Sequence, residues 1–267
     1  MNPEIIGEDN HLIVANKPAG WVTQGAMPGV ASLYDAVCAY VREKYRKPGN
    51  VFLGVVSRLD APVSGVVCFA RTSKAAARLN EQFRERHVRK IYLAVTRAPQ
   101  FLTDAEPGVT CGCCENFLYH DDAARRVRIV REGVSGARFA SLDWRLCAFD
   151  PSQGHTLLAV ELHTGRKHQI RVQLASHGMP IVGDTLYENI GNPLYAGRSG
   201  RYDEKDVGRI RIPDRIRLHA WRLTLEHPVR REPTTFEAPV PDRFFPRDRI
   251  PDVLKMIALR ADESGES

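Results

Sequence analysis

The sequence lacks a hydrophobic run of the ~18 residues needed to cross a bilayer. Residues 1–14 also lack the basic-then-apolar order of a secretory signal, so a soluble, cytoplasmic chain without a membrane partner is expected. Cysteine is sparse, six in 267 residues, and a chain this long has core enough to fold without disulfide staples. There is no internal repeat, and no Pro/Gly/Ser-rich linker divides the chain. No dinucleotide fingerprint, phosphate-cradling glycine loop or Gly-x-Ser-x-Gly appears, which argues against dehydrogenases, kinases and serine hydrolases.

What is present is an ordinary globular composition, 43% hydrophobic and 26% charged. Lysine and arginine number 38 against 32 acidic residues, a net charge of +6. That excess serves solubility or a polyanionic partner, and the basic residues gather around the motifs below. Cys111, Cys113 and Cys114 form the one thiol cluster. A structural zinc site needs a second ligand pair, and His120 is the single nearby candidate, so no metal is expected. A metal-dependent nucleic-acid enzyme built on these cysteines is the reading that elemental analysis would test.

Strands are expected at residues 11–18, 51–56, 65–71, 91–96, 127–130, 141–149, 156–162 and 218–226, from short β-branched or alternating apolar runs. Ser32-Leu33-Tyr34-Asp35 is a capping-box pattern that opens a helix ending near Pro48 and Gly49. Thr72 or Ser73 caps a second helix with Ala76, Leu79 and Phe83 on its apolar face. Ile170 and Leu174 suit a third, closed by Gly178. Residues 97–125 read as irregular, residues 188–215 as a long functional loop, and the acidic tail 261–267 as frayed. Strands outnumber helices without alternating with them. The expectation is therefore an α+β fold, one domain around a mixed, largely antiparallel sheet.

Three segments stand out chemically. Ser57-Arg58-Leu59-Asp60-Ala61-Pro62-Val63-Ser64-Gly65 is a polar turn between two apolar strands. Asp60, taken alone, reads first as a turn residue capping its own backbone. His163-Thr164-Gly165-Arg166-Lys167-His168-Gln169-Ile170-Arg171 follows a buried strand. Cations are disfavoured at a helix N-terminus, so this cluster calls for a nearby anion, a carboxylate or a phosphate. Lys90-Ile91-Tyr92 lies on a strand, where Tyr92 reads as a core ring with a wet hydroxyl.

Taken together and in order, these segments resemble the RluA-type pseudouridine synthases. The match opens with Glu8-Asp9…Val14-Ala15-Asn16-Lys17-Pro18-Ala19-Gly20 and passes through the Arg-Leu-Asp…Ser-Gly loop, the Ala75-Ala76…Leu79…Phe83 helix, Lys90-Ile91-Tyr92 and the Thr164-Gly165-Arg166…His168-Gln169-Ile170-Arg171 segment, covering about residues 8–244. Residues 178–184 and Leu218-His219-Ala220…His227-Pro228 complete it. The resemblance implies a single catalytic domain over residues 1–250 with a central cleft, flanking helices and loops, and a partly disordered extension over 251–267. No separate N-terminal RNA-binding module is expected. It also implies RNA, a tRNA or rRNA, as the partner, with no obligate protein partner, no cofactor and no metal. The reaction would break the N1–C1′ bond of a uridine and rejoin the uracil through C5. By the family pattern Asp60 is the essential carboxylate, Tyr92 stacks on the target ring and Arg166 pairs with Asp60. Substrate-binding roles fall on Arg58, Lys90, His168, Gln169 and Ile170. The family commonly has His where Ser57 stands, Thr where Val63 stands and His where Gln173 stands. A catalytically degenerate RNA-binding protein of the same fold is the alternative.

Overall fold

A computed structural model of the chain describes residues 2–26, 32–46, 48–188, 216–242 and 244–246. The expected 188–215 loop, apart from Glu188, and the 251–267 extension lie outside the described residues. Two compact units are distinguished: Met1–Ile91 with His219–Val240, and Tyr92–Leu218 with Pro241–Ser267. No helix of the described residues is long and apolar enough to cross a membrane.

The first unit is built on β1 (Glu4–Glu8), β2 (Leu12–Lys17), β3 (Gly54–Val55), β4 (Ser64–Ala70), β10 (Leu218–Glu226) and β11 (Pro233–Glu237), with α1 (Leu33–Lys44) and α2 (Ser73–Glu85). Its strand order is β1-β2-β4-β10, with β11 on β10 and β3 on β4. All pairs are antiparallel except β4 with β10, which run parallel with His219 opposite Ser64. β4 is buried along its whole length because helices cover both of its faces. Val66 and Cys68 pack with Ala75 and Leu79 of α2, whereas Val67 and Phe69 pack with Leu33, Val37 and Val41 of α1. The capping box holds: Ser32 Oγ accepts from the Asp35 N–H, and the Asp35 carboxylate accepts from the Ser32 N–H. Thr72, not Ser73, caps α2.

The second unit holds most of β5 (Arg89–Arg97), then α3 (Gln100–Thr103), β6 (Cys111–Asp121), β7 (Arg126–Val130), β8 (Arg138–Asp150), β9 (His155–Leu162) and α4 (Gln169–Ser176), in the strand order β5-β9-β8-β6-β7. The mixed, mostly antiparallel sheet expected from the sequence is what the chain forms. Three local expectations fail. The stretch read as irregular contains the 11-residue strand β6, whose small and polar residues conceal it because it is buried only at Cys114 and Leu118. Residues 51–56 give a two-residue strand, since Val51 and Leu53 reach the α1 core from an irregular segment. β1 and β11, half-exposed edge strands, were not expected at all.

Candidate functional site

Asp60 lies in the first unit, in the turn between β3 and β4, and the chain around it is fixed on both sides. The Thr23 hydroxyl accepts from the Leu59 N–H and donates to the Leu59 carbonyl, both at 3.1 Å. The Ala61 carbonyl accepts from the Gly20 N–H at 2.7 Å and from Lys17 Nζ at 3.0 Å. The Val63 N–H closes the turn on the Asp60 carbonyl. Ser57 anchors the entry, its hydroxyl accepting from the Cys68 N–H at 2.9 Å. A Ser at this position is thus a backbone brace. Asp60 is half-buried and Arg58 exposed.

Lys17 is the residue that sequence reasoning missed. It ends β2 with its side chain wholly buried, and Nζ donates to the carbonyls of Pro18 (3.0 Å), Trp21 (2.6 Å) and Ala61 (3.0 Å). An ammonium has three donors, and three carbonyls meet it. Burial pushes its pKa down to about 7, and the Asp60 carboxylate pulls the other way. A lysine closing an almost unbroken apolar run, just before Pro-x-Gly, was the available signal.

Gly65 opens β4 at the far end of the turn. Its φ is +117°, and a Cβ there would lie 2.1 Å from the Ala220 carbonyl oxygen. The position therefore demands glycine both for its conformation and for the close approach of β10. Beside it, Ser64 Oγ lies 2.9 Å from His219 Nδ1.

In the second unit, the turn between β9 and α4 carries Arg166. Gln169, 2% exposed, organises it. Its Oε1 accepts from the Thr164 hydroxyl (2.8 Å) and the Arg166 N–H (3.0 Å), while Nε2 donates to the Ser141 carbonyl (3.0 Å). Arg166 itself donates from Nε to the Phe139 carbonyl at 3.0 Å. Gln169, expected to bind substrate, thus holds the backbone at Arg166. His168 sits at the N-cap of α4 with φ +53°, its Nδ1 2.8 Å from the Tyr187 hydroxyl. Ile170 is buried. Arg171 explains part of the cation cluster: Nε and a terminal nitrogen reach both Asp184 oxygens at 2.7 and 2.8 Å, in a buried bidentate pair. The anion called for at that residue is a protein carboxylate.

Lys90 and Tyr92 lie side by side on β5, both half-buried, with the unit boundary falling between Ile91 and Tyr92. Among the described residues no group of three or more His, Cys, Asp or Glu could hold a metal ion. Cys111 and Cys113 are exposed, whereas Cys114 is buried and its thiol is pushed up to about 12 by desolvation.

Comparison with known proteins gives a consistent picture. A sequence model described as RNA pseudouridylate synthase matches residues 11–176. The chain is 35% identical over 243 residues to a ribosomal large subunit pseudouridine synthase D of Xylella fastidiosa, covering 90% of this chain and 66% of that protein. It is 31% identical to the dual-specificity RNA pseudouridine synthase RluA of Haemophilus influenzae, over 88% of this chain and 92% of that one. Among solved structures, human RNA pseudouridylate synthase domain containing 4 matches with a TM-score of 0.65 at 24% identity, over 96% of this chain and 93% of that one.

Proposed function

Since the chain belongs to the RNA pseudouridylate synthase family, we propose that it isomerises a uridine of tRNA or rRNA to pseudouridine, with Asp60 as the essential carboxylate. The observation that carries this reading is the bracing of Asp60. Thr23 fixes the residue before it, and Lys17 with Gly20 the residue after it. A turn held by hydrogen bonds on both flanks positions one carboxylate reproducibly, which chemistry at a single sugar–base bond requires.

The isomerisation balances within the nucleoside. The N1–C1′ bond breaks, the uracil turns, C5 bonds to C1′, and the C5 proton is lost as N1 gains one. No oxidant or outside nucleophile enters. Asp60 acts as the ionised carboxylate, whether by attack on the sugar, attack on the base or removal of a sugar proton. Tyr92 stacks on the flipped ring, offsetting part of the few kcal/mol that unstacking costs. Arg166 is the cation of the reaction centre, and the Gln169 amide and Phe139 carbonyl hold its geometry. Arg58 and Lys90 contact the RNA strand.

The test is Asp60→Asn. It keeps the side chain's size but removes the charge and puts an amide donor in place of one acceptor oxygen. Pseudouridine formation, read by mass spectrometry of RNA incubated with the full chain, is expected to vanish while RNA binding persists. Turnover above ~1% of the parent rate would refute the role, because losing an essential catalytic group costs far more.

A further inference from the structure

The outer face of β6, β7 and β8 carries a feature that the reaction does not use. Residues opposite one another in antiparallel strands share a face. Phe117 is opposite Phe139 of β8 and Val130 of β7, Tyr119 is opposite Arg128, and Asp121 opposite Arg126. The inward face of these strands, Leu118, Val127 and Ala140, packs on Val172 and Ala175 of α4 and on Tyr187. Among the described residues the outward face has no such cover. Phe139 is 38% exposed and Tyr119 37%. The Phe117 and Phe139 rings meet edge to face with centroids 5.7 Å apart, and Gly136 lies against the Tyr119 ring.

The charges around these rings change sign along the strands. Toward the β6–β7 turn stand Arg126 and Arg128. Arg128, its side chain half-exposed, holds Asp121 at 2.6 Å; Arg126 Nε is itself buried and has no acceptor among the described residues, and the exposed Asp122 of the turn lies 3.0 Å from His120 Nδ1. In the other direction lie exposed Glu115 and Asp143. The arginines favour an anionic strand over Tyr119, Phe117 and Phe139, while Glu115 opposes one, and Asp143 is held 2.9 Å from His163 Nε2. The Phe139 carbonyl accepts from Arg166, so the aromatic row begins at a residue already engaged in the candidate site of this unit.

We propose that Tyr119, Phe117 and Phe139, flanked by Arg126 and Arg128, form a stacking platform for single-stranded RNA next to the target uridine. The proposal rests on the RNA-modifying reading above and adds a surface to it. Aromatic rings accept any base on their faces, and arginines beside them neutralise the backbone, so the platform supplies affinity rather than sequence choice.

The experiment is fluorescence anisotropy of the full chain with a labelled single-stranded RNA heptamer of mixed sequence, and with the same strand annealed to its complement. Tyr119→Ala and Phe139→Ala are each expected to weaken single-strand binding about tenfold, the range of one lost base–ring stack, and to leave duplex binding unchanged. Phe139→Leu, which keeps the apolar bulk, should lose affinity too, whereas Tyr119→Phe should retain it. All four should stay folded, the Phe139 variants losing little more than the Phe117 ring contact in melting. A Tyr119→Ala/Phe139→Ala double variant with parental affinity and melting would overturn the proposal. A parental dimer that this double variant converts to a monomer, with RNA affinity kept, would also overturn it and make the face a contact between copies. Failure is separable from that of the catalytic reading. Asp60→Asn should bind the heptamer as the parent does, and ring-dependent binding without pseudouridine formation would refute catalysis and leave the platform standing.

Discussion

Lys17 shows how one buried side chain can hold the turn that carries Asp60, the carboxylate proposed to be catalytic. Its three carbonyl acceptors come from two stretches of chain, the Pro18–Trp21 turn and the Asp60 loop at Ala61. Lys17→Met keeps the apolar stem but leaves those carbonyls without their donor. The Ala61 carbonyl keeps the Gly20 N–H and the Pro18 carbonyl the Trp21 N–H, so the Trp21 carbonyl loses the most; at roughly 1–3 kcal/mol for a buried group left unsatisfied, unfolding free energy should fall by about 2 kcal/mol. Because the Asp60 turn loosens, single-turnover pseudouridine formation should slow at least tenfold with RNA affinity little changed. Urea denaturation and single-turnover kinetics read the two effects, and a variant as stable and as fast as the parent would disprove the role. Arg166, Gln169 and Asp60 could be found in the sequence because they sit in dense polar motifs. Lys17 was hidden by the expectation that lysine lies at the surface, and the hydrogen bonds by which Gln169 holds its own turn were not legible, since burial is invisible in a polar run.

At the level of elements, the parallel pair β4–β10 carries the Asp60 turn. Gly65 is its closest point, where a methyl group would collide with the Ala220 backbone and φ is positive. Gly65→Ala should cost at least about 3 kcal/mol, from left-handed strain plus overpacking, and calorimetry would show it as a lowered melting temperature. Unchanged melting would mean that the two strands separate at no cost. Helices were easier to read than strands here. The Ser32–Asp35 box and the Thr72 cap are local devices, complete within four residues. β6 draws its stability from eight register partners on β8, information that lies far away in the sequence, and its own Cys-Gly-Cys-Cys-Glu-Asn run favours no strand. Gly112 fits there because the Trp144 ring of β8 lies over it, 2.7 Å from where a Cβ would stand.

For the molecule as a whole, acid should be destabilising in a defined window. His219 is wholly buried, near Ser64 Oγ and the Ala238 carbonyl, and burial pushes its pKa down to about 4 from 6.5. Between those values the unfolded chain binds a proton that the folded chain does not. Stability therefore rises with pH through the window and is lost on acidification. The loss from pH 7 to pH 4 attributable to this imidazole is on the order of 3 kcal/mol. His155, also held low by burial, adds to it with the same sign. Urea titrations at several pH values should show the slope, and His219→Gln should flatten it; an identical slope in the variant would assign acid sensitivity elsewhere. This dependence was not legible in the sequence. His219 was recognised as part of a motif, but its burial follows from β10 lying between β4 and β11.

The division of the first unit has a consequence for how the chain is made. Its sheet needs β10 and β11, which residues 92–218 separate from the rest of that unit. At about 5–20 residues per second, a ribosome emits the β2–β4 hairpin and its two helices roughly ten seconds before the strand that completes them. During that interval the stretch of β4 that β10 pairs, at Ser64 and Gly65, has its hydrogen-bonding edge open, a condition that invites pairing between neighbouring nascent chains.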